Sequence, residues 1–218
     1  MKYTFIILTY ILLSFYAHAG TFQITSSDVN LDTDGAIHNI VGIDAALESD
    51  SGIALEYGFD NGWSLQYGTT DANASVTATL TAENAVLVNS LLEDNPLVGG
   101  DSLSLAENYE ASILMLKYNT VADLGEKLFY NISFGVGLTK VDFEVIGNFD
   151  GGSATFGDSD KTLTCSFGFG LGYRLNENTS LIVNYEFRDA QDGEFKNLGL
   201  TDADFDNTSL DIGVKMNF

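Results

Sequence analysis

The sequence predicts an all-β chain, an eight-stranded antiparallel up-and-down barrel that crosses a membrane. Three observations predict it. Past residue 36, apolar residues recur with period two, the signature of strands with two unlike faces. The face opposite the apolar one is built largely from Gly, Ser, Thr and Asn, which suits the cramped lumen of a narrow barrel better than an open water-facing sheet. Short and long connections alternate, as they do between the two rims of a small membrane barrel.

Composition sets the bounds. A length of 218 residues, 45% of them hydrophobic, suits one domain. Nine Lys and Arg against 31 Asp and Glu give a formal charge of −22. That balance excludes nucleic acid as a partner, because the phosphate backbone demands clustered basic side chains. A single Cys excludes an internal disulfide framework and any Cys-built zinc centre. No cofactor is expected.

Residues 1–19 read as an export signal. Lys2 supplies a basic start, Thr4 to Tyr16 is mostly apolar, and Ala17-His18-Ala19 is a small-x-small cleavage pattern. The apolar run falls short of the roughly 20 residues a helical span needs, so cleavage after Ala19 is expected. Residues 20–36 read as a polar leader, and the barrel as residues 37–218.

Strands follow near 37–47, 52–60, 62–70, 110–119, 128–145, 162–174, 180–188 and 208–218. The last is the plainest: Leu210, Ile212, Val214, Met216 and Phe218 share a face opposite Ser209, Asp211, Gly213, Lys215 and Asn217. In 37–47 the alternation is imperfect, since Asn39 falls on the apolar face and Ile40 opposite. In 128–145 the apolar phase moves from even positions up to Leu138 to odd ones at Val141, Phe143 and Val145, which predicts a one-residue bulge near Thr139 or Lys140. Strand 110–119 is apolar on both faces until Lys117. Asp60-Asn61-Gly62 is a tight hairpin signal, and 120–127 and 175–179 are short turns. Long polar stretches at 71–109, 146–161 and 189–207 read as extracellular loops, with a short helix over Ala82 to Leu92.

Aromatic residues gather toward strand ends on the apolar face: Tyr57, Phe59, Trp63, Tyr67, Tyr118, Tyr173, Tyr185 and Phe187. Interfacial girdles of membrane strands have this placement, whereas a soluble sandwich would bury such residues between two sheets. Together with Ala17-His18-Ala19, the Gly-x-Gly-x-Gly-Tyr run from Gly168 to Tyr173 and the closing Val214-Lys215-Met216-Asn217-Phe218, the chain resembles the OmpA-like and opacity-protein-like eight-stranded outer-membrane barrels, without their peptidoglycan-binding domain. The resemblance implies residence in a bacterial outer membrane, contact with its lipid and lipopolysaccharide, and reading of Phe218 by the barrel-assembly machinery.

Few residues suggest chemistry. His38 is the one histidine beyond the signal, and Asp44 lies roughly 20 Å along the same predicted strand, too far to orient it for a hydrolase. Cys165 falls on the apolar face as a small lipid-facing residue. Asn30-x-Asp32-x-Asp34-Gly35 has the spacing that opens a calcium loop, but Val41 stands where a bidentate Glu is required. The acids at Asp71, Glu83, Glu107, Asp158 and Asp160 read as solvated loop residues.

The informative charges face inward. Glu56, Arg174, Glu186, Arg188, Asp211 and Lys215 lie on the small-residue faces of four strands. A charge inside a narrow lumen must be paired or hydrated, so a salt-bridge network is expected. The function this supports is structural or surface-interactive, stabilising the envelope and displaying loops whose extracellular ligand the residues do not identify. Its rivals are a narrow porin-like channel for ions or small solutes and a lipid-modifying outer-membrane enzyme.

Overall fold

The computed structural model describes residues 20–31, 48–49, 51–89, 98–149, 152–190, 193–195, 200–203 and 207–218. In chain order the elements are β1 (Gly20–Leu31), β2 (Glu48–Ser49), β3 (Ser51–Phe59), β4 (Trp63–Thr79), α1 (Ala82–Asn89), β5 (Ser102–Asp123), β6 (Leu128–Phe149), β7 (Gly152–Arg174), β8 (Thr179–Ala190), β9 (Gly193–Phe195), β10 (Leu200–Ala203) and β11 (Asn207–Asn217).

Eight antiparallel strands form a closed ring. From β1 the order runs through β11, β8, β7, β6, β5, β4 and β3, and β3 returns to β1. The predicted barrel is borne out. β2 adds a short pairing of Glu48 and Ser49 with Asn73 and Ala72 of β4. β9 and β10 make a separate small hairpin. The Asp60-Asn61-Gly62 turn is present, with Gly62 at φ 86° and its N–H donating to the Phe59 carbonyl at 3.2 Å. This conformation favours glycine because it has no Cβ to clash.

Closure depends on a strand that the sequence disguises. Residues read as a polar leader form β1 over Gly20–Leu31, in register with β3 from Gly20↔Phe59 and with β11 from Thr21↔Asn217. Only Phe22 and Ile24 mark its outward face before Ser26 and Asp28, so its alternation is too brief to stand out. The strand expected at 37–47 lies outside the described residues, as do the signal segment 1–19 and His38.

The predicted loops also change character. Within 71–109, β4 continues to Thr79, α1 follows, and β5 begins at Ser102. Within 146–161, β6 runs to Phe149 and β7 starts at Gly152. Within 189–207, β9 and β10 occupy part of the stretch. Strands β4 to β7 therefore form a wall that continues past the ends of β8 and β11.

The bulge expected near Thr139 and Lys140 does not occur. The β6–β7 register is unbroken from Leu128↔Tyr173 to Phe149↔Gly152. Polarity shifts there because the surroundings change while the backbone does not. Up to Leu138 the even positions of β6 face outward and are apolar, opposite small inward residues such as Ser133, Gly135 and Gly137. From Lys140 onward the even positions still face outward but carry Lys140, Asp142, Glu144 and Asn148, while Val141, Phe143 and Val145 are buried inside. The lower storey shows oil to lipid, and the upper storey shows charge to water around an apolar core. β5 changes in the same way: Leu114, Leu116 and Tyr118 face out below, and Leu103, Leu105 and Tyr109 face in above. The apolar outward band on β6, from Leu128 to Leu138, matches the roughly 9–11 residues a strand needs to cross a bilayer. The residues from Lys140 to Phe149 add roughly 33 Å of strand beyond it.

This boundary gives a direct test. Phe134→Arg should destabilise the protein by about 2–4 kcal/mol, the cost of a cation on the lipid face near the midplane. Ile146→Arg, on the same outward face but above the boundary, should change stability by no more than about 0.5 kcal/mol. Urea unfolding from liposomes would compare the two, and equal losses would refute the two-storey arrangement.

Candidate functional site

The glycines of β6 and β7 make space for the lumen's long side chains. Gly135 and Gly168 face inward, and a Cβ on either would collide with neighbouring side chains: Met115 and Ser166 at the first, Ser133 at the second. Into this space Lys117 projects from β5 and Glu186 from β8. Their strands are separated by β6 and β7, so the pair bridges the interior.

The Lys117 Nζ donates to Glu186 at 2.6 Å and lies 3.8 Å from Glu56. Arg188 Nε donates to the other Glu186 oxygen at 3.1 Å. The Asn119 amide donates to Glu56 at 3.0 Å and to the Ser64 hydroxyl at 2.7 Å. Asp211 accepts a hydrogen bond from Ser27 beside Arg188, and Lys215 lies in the field of Glu56. Glu56, Glu186 and Asp211 thus face Lys117, Arg188 and Lys215, three charges of each sign. Glu186 and Asp211 are each only 1% exposed. At such burial every charge needs its partner, because desolvating an ion costs several kcal/mol.

Most of the predicted inward charges meet here, with two changes. Arg174 stands apart at the rim of the short turns, where it pairs with Asp123 and covers the Phe129 ring at 5.1 Å. Its position at the very end of β7 explains this. Lys117, the hub of the cluster, was absent from the predicted network because apolar residues on both sides of 110–119 hid the strand's inward phase. The available signal was the odd-numbered set Ile113, Met115, Lys117 and Asn119, which shares one face.

The lumen is layered around this cluster. Below it, toward the short turns, a cavity of about 410 Å³ is lined by Gln23, Glu56, Lys117, Asn131, Asn184 and Lys215 among others. Above it, Met115 and Gln66 are fully buried, and Thr139 and Thr164 share a hydrogen bond at 2.6 Å. Higher still, Tyr109 and Phe143 pack with ring centroids 4.6 Å apart. Glu107, expected to be a solvated loop acid, is 1% exposed beside them and accepts a hydrogen bond from the Tyr109 hydroxyl at 3.1 Å. Burial, reinforced by the charge of Glu107, raises the Tyr109 phenol above its ordinary range. Asp158 and Asp160, read as solvated too, are half-buried on the inward face of β7.

On the outside, Phe59, Trp63, Tyr67, Tyr173, Tyr185 and Phe187 are exposed and Tyr57 is half-buried. Cys165 is exposed on the same face. Asn30 is a paired position of β1, whereas Asp32, Asp34 and Gly35 lie outside the described residues. No cluster able to hold a metal ion occurs among the described residues. Phe218 closes the ring at the turn rim, its N–H donating to the Gly20 carbonyl at 3.0 Å.

A closed sheet with an oily outer band and a polar, ion-paired lumen defines a transmembrane β-barrel protein. The family model described as outer membrane protein beta-barrel domain matches residues 12–218, and the chain belongs to that family, whose members reside in the bacterial outer membrane. The resemblance to eight-stranded OmpA-like and opacity-like barrels is borne out. No curated protein matches the chain. Among solved structures it is similar to Ail, the attachment invasion locus protein of Yersinia pestis, in complex with the heparin analogue sucrose octasulfate, at 14% identity and a TM-score of 0.42, covering 91% of this chain and 99% of that one. It is also similar to the outer membrane protein OprG of Pseudomonas aeruginosa, at 17% identity and a TM-score of 0.38, covering 92% and 97%. A third is the outer membrane protease OmpT of Escherichia coli, at 11% identity and a TM-score of 0.39, covering 92% and 93%.

Lys117→Met would leave Glu186 and Glu56 buried without their shared cation, and should destabilise the barrel by about 3–5 kcal/mol. The double variant Lys117→Met/Glu186→Gln should recover part of that loss. Arg174→Ala, which breaks a half-exposed rim pair, should cost less than about 1 kcal/mol. Denaturant unfolding in lipid would rank the three, and a loss for Arg174→Ala equal to that for Lys117→Met would refute the assignment of the hub.

Proposed function

We propose that this protein is a closed, non-conducting and non-enzymatic outer-membrane barrel that stabilises the envelope and holds an acidic β-wall above the membrane surface. The observation that carries this reading is the lumen: a cross-barrel ion cluster roofed by Met115, which no solvent reaches. In a barrel of eight strands side chains largely fill the interior, and here they also satisfy one another's charges. Lys117, Glu186, Glu56 and Arg188 pair with one another, which supports a structural role for them over acid–base catalysis. The wall, with Asp71, Glu110, Asp142 and Glu144 on its outer side, would be the surface met from outside the cell. Phe218, at the end of the closing strand, would be the residue read by the barrel-assembly machinery.

One observation favours a channel as the second reading. The cavity of about 410 Å³ lies on the periplasmic side of the cluster and gives ions or small solutes a vestibule. Planar-bilayer recording separates the two readings. The wild-type protein should show no stepwise conductance, and Lys117→Ala should open measurable events by breaking the cluster. Steady wild-type steps that Glu56→Ala abolishes would establish the channel instead.

A further inference from the structure

Three successive outward rows cross the same four strands, β4 to β7, at the top of the lipid band. The lowest is apolar: Tyr67, Leu114, Leu138 and Leu163 are direct cross-strand partners, all about half exposed. The next row is Thr69, Ser112, Lys140 and Lys161, again in direct register. Above it stand Asp71, Glu110, Asp142 and Ser159. The middle row is therefore a contiguous line of hydroxyl and ammonium donors placed between oil and acid.

The lysine pair is the anomaly. Like charges directly opposite on neighbouring strands repel, since their Cβ atoms stand only about 4.5–5.5 Å apart. In a chain with nine basic residues against 31 acidic ones, putting two of them face to face calls for a cause. Lys140 is paired with Asp142 on its own strand. Lys161 is exposed and, among the described residues, has no carboxylate within ion-pair distance. The other described cations serve the lumen (Lys117, Arg188, Lys215) or the end with the short turns (Lys127, Arg174), so among the described residues the pair supplies the outward positive charge of the upper half.

We propose that the row Thr69, Ser112, Lys140 and Lys161 binds the phosphate group of an outer-leaflet lipid headgroup. A phosphate between the ammonium groups turns their repulsion into two charge-assisted hydrogen bonds, with the hydroxyls of Ser112 and Thr69 as further donors. A lipid fits better than a soluble anion because the row sits one step above Leu138 and Leu163. A phosphate held there has its acyl chains beside that exposed apolar row, and the lysine stems lie along the same surface with their heads at headgroup level. The acidic row above repels an anion at any higher level and so sets its height. The inference rests on the membrane boundary drawn from the outward band, and not on closure of the lumen.

Native mass spectrometry of the full-length mature protein released from nanodiscs tests this. The discs would contain phosphatidylcholine doped with a phosphorylated glycolipid of the outer-leaflet type, or with its dephosphorylated form. Wild-type protein should retain the phosphorylated lipid, and Lys140→Gln/Lys161→Gln should retain it about tenfold less or worse. Lys127→Gln, at the opposite rim, should behave as wild type. Heat-modifiable gel mobility reports folding, and Lys161→Gln alone carries the test if the double variant does not fold. Undiminished retention by the folded variant, or equal retention of the dephosphorylated lipid, overturns the proposal. Displacement of the lipid by millimolar inorganic phosphate overturns the lipid assignment in favour of a soluble anion. A conducting wild-type barrel would refute the preceding reading and leave this measurement unaffected.

Discussion

Hydrocarbon offers a backbone amide no hydrogen-bond partner, and that constraint organises the molecule. An open sheet edge in lipid would strand a row of N–H and C=O groups at several kcal/mol each, so a spanning sheet must close on itself. Here closure is made by β1, which pairs with β3 on one side and β11 on the other. Once the ring is closed, each side chain faces either lipid or a narrow interior, and the alternation along each strand follows. The glycine floor and the ion cluster are answers to the same confinement: long charged side chains fit only where their neighbours have none.

The second organising fact is that the strands outlast the membrane. Where the outside changes from acyl chains to water, the preferred polarity of each face reverses, while the register of β5, β6 and β7 continues unchanged. The interior changes with it, from paired ions and hydroxyls to Leu105, Tyr109, Val141 and Phe143. Above the boundary the protein is built like a water-soluble sheet, and below it like its inverse.

The fold was legible in the sequence wherever lipid enforces a strong contrast between faces. Strand β8, with Leu181, Val183, Tyr185 and Phe187 outward, was read almost to its ends, as was β11. The contrast fades where it is not enforced. β1 shows two apolar outward residues and passes for a leader, and the upper halves of β4 and β7 show polar outer faces and pass for loops. The apparent bulge in β6 arises because the polarity of its two faces reverses near Lys140 on an unbroken register. The inward charges were legible from their faces, since Glu56, Glu186, Arg188, Asp211 and Lys215 all lie within the lumen. Which of them touch was not, because Lys117 and Glu186 are 69 positions apart and meet only across the closed ring.

The continuous β6–β7 hairpin also bears on how the protein reaches its place. Its charged outer positions, Lys140, Asp142, Glu144 and Lys161, lie on the far side of the bilayer from the turns that join β5 to β6 and β7 to β8. If the strands enter the membrane from the side of the short turns, each of those groups has to cross it once during biogenesis. The apolar residues that later shelter in the upper storey travel on the same two ribbons, so the journey is eased if hydrophobic and ionic faces cross together as a prepaired hairpin. The tall wall therefore sends more polar surface across than a barrel that stops at the headgroups would.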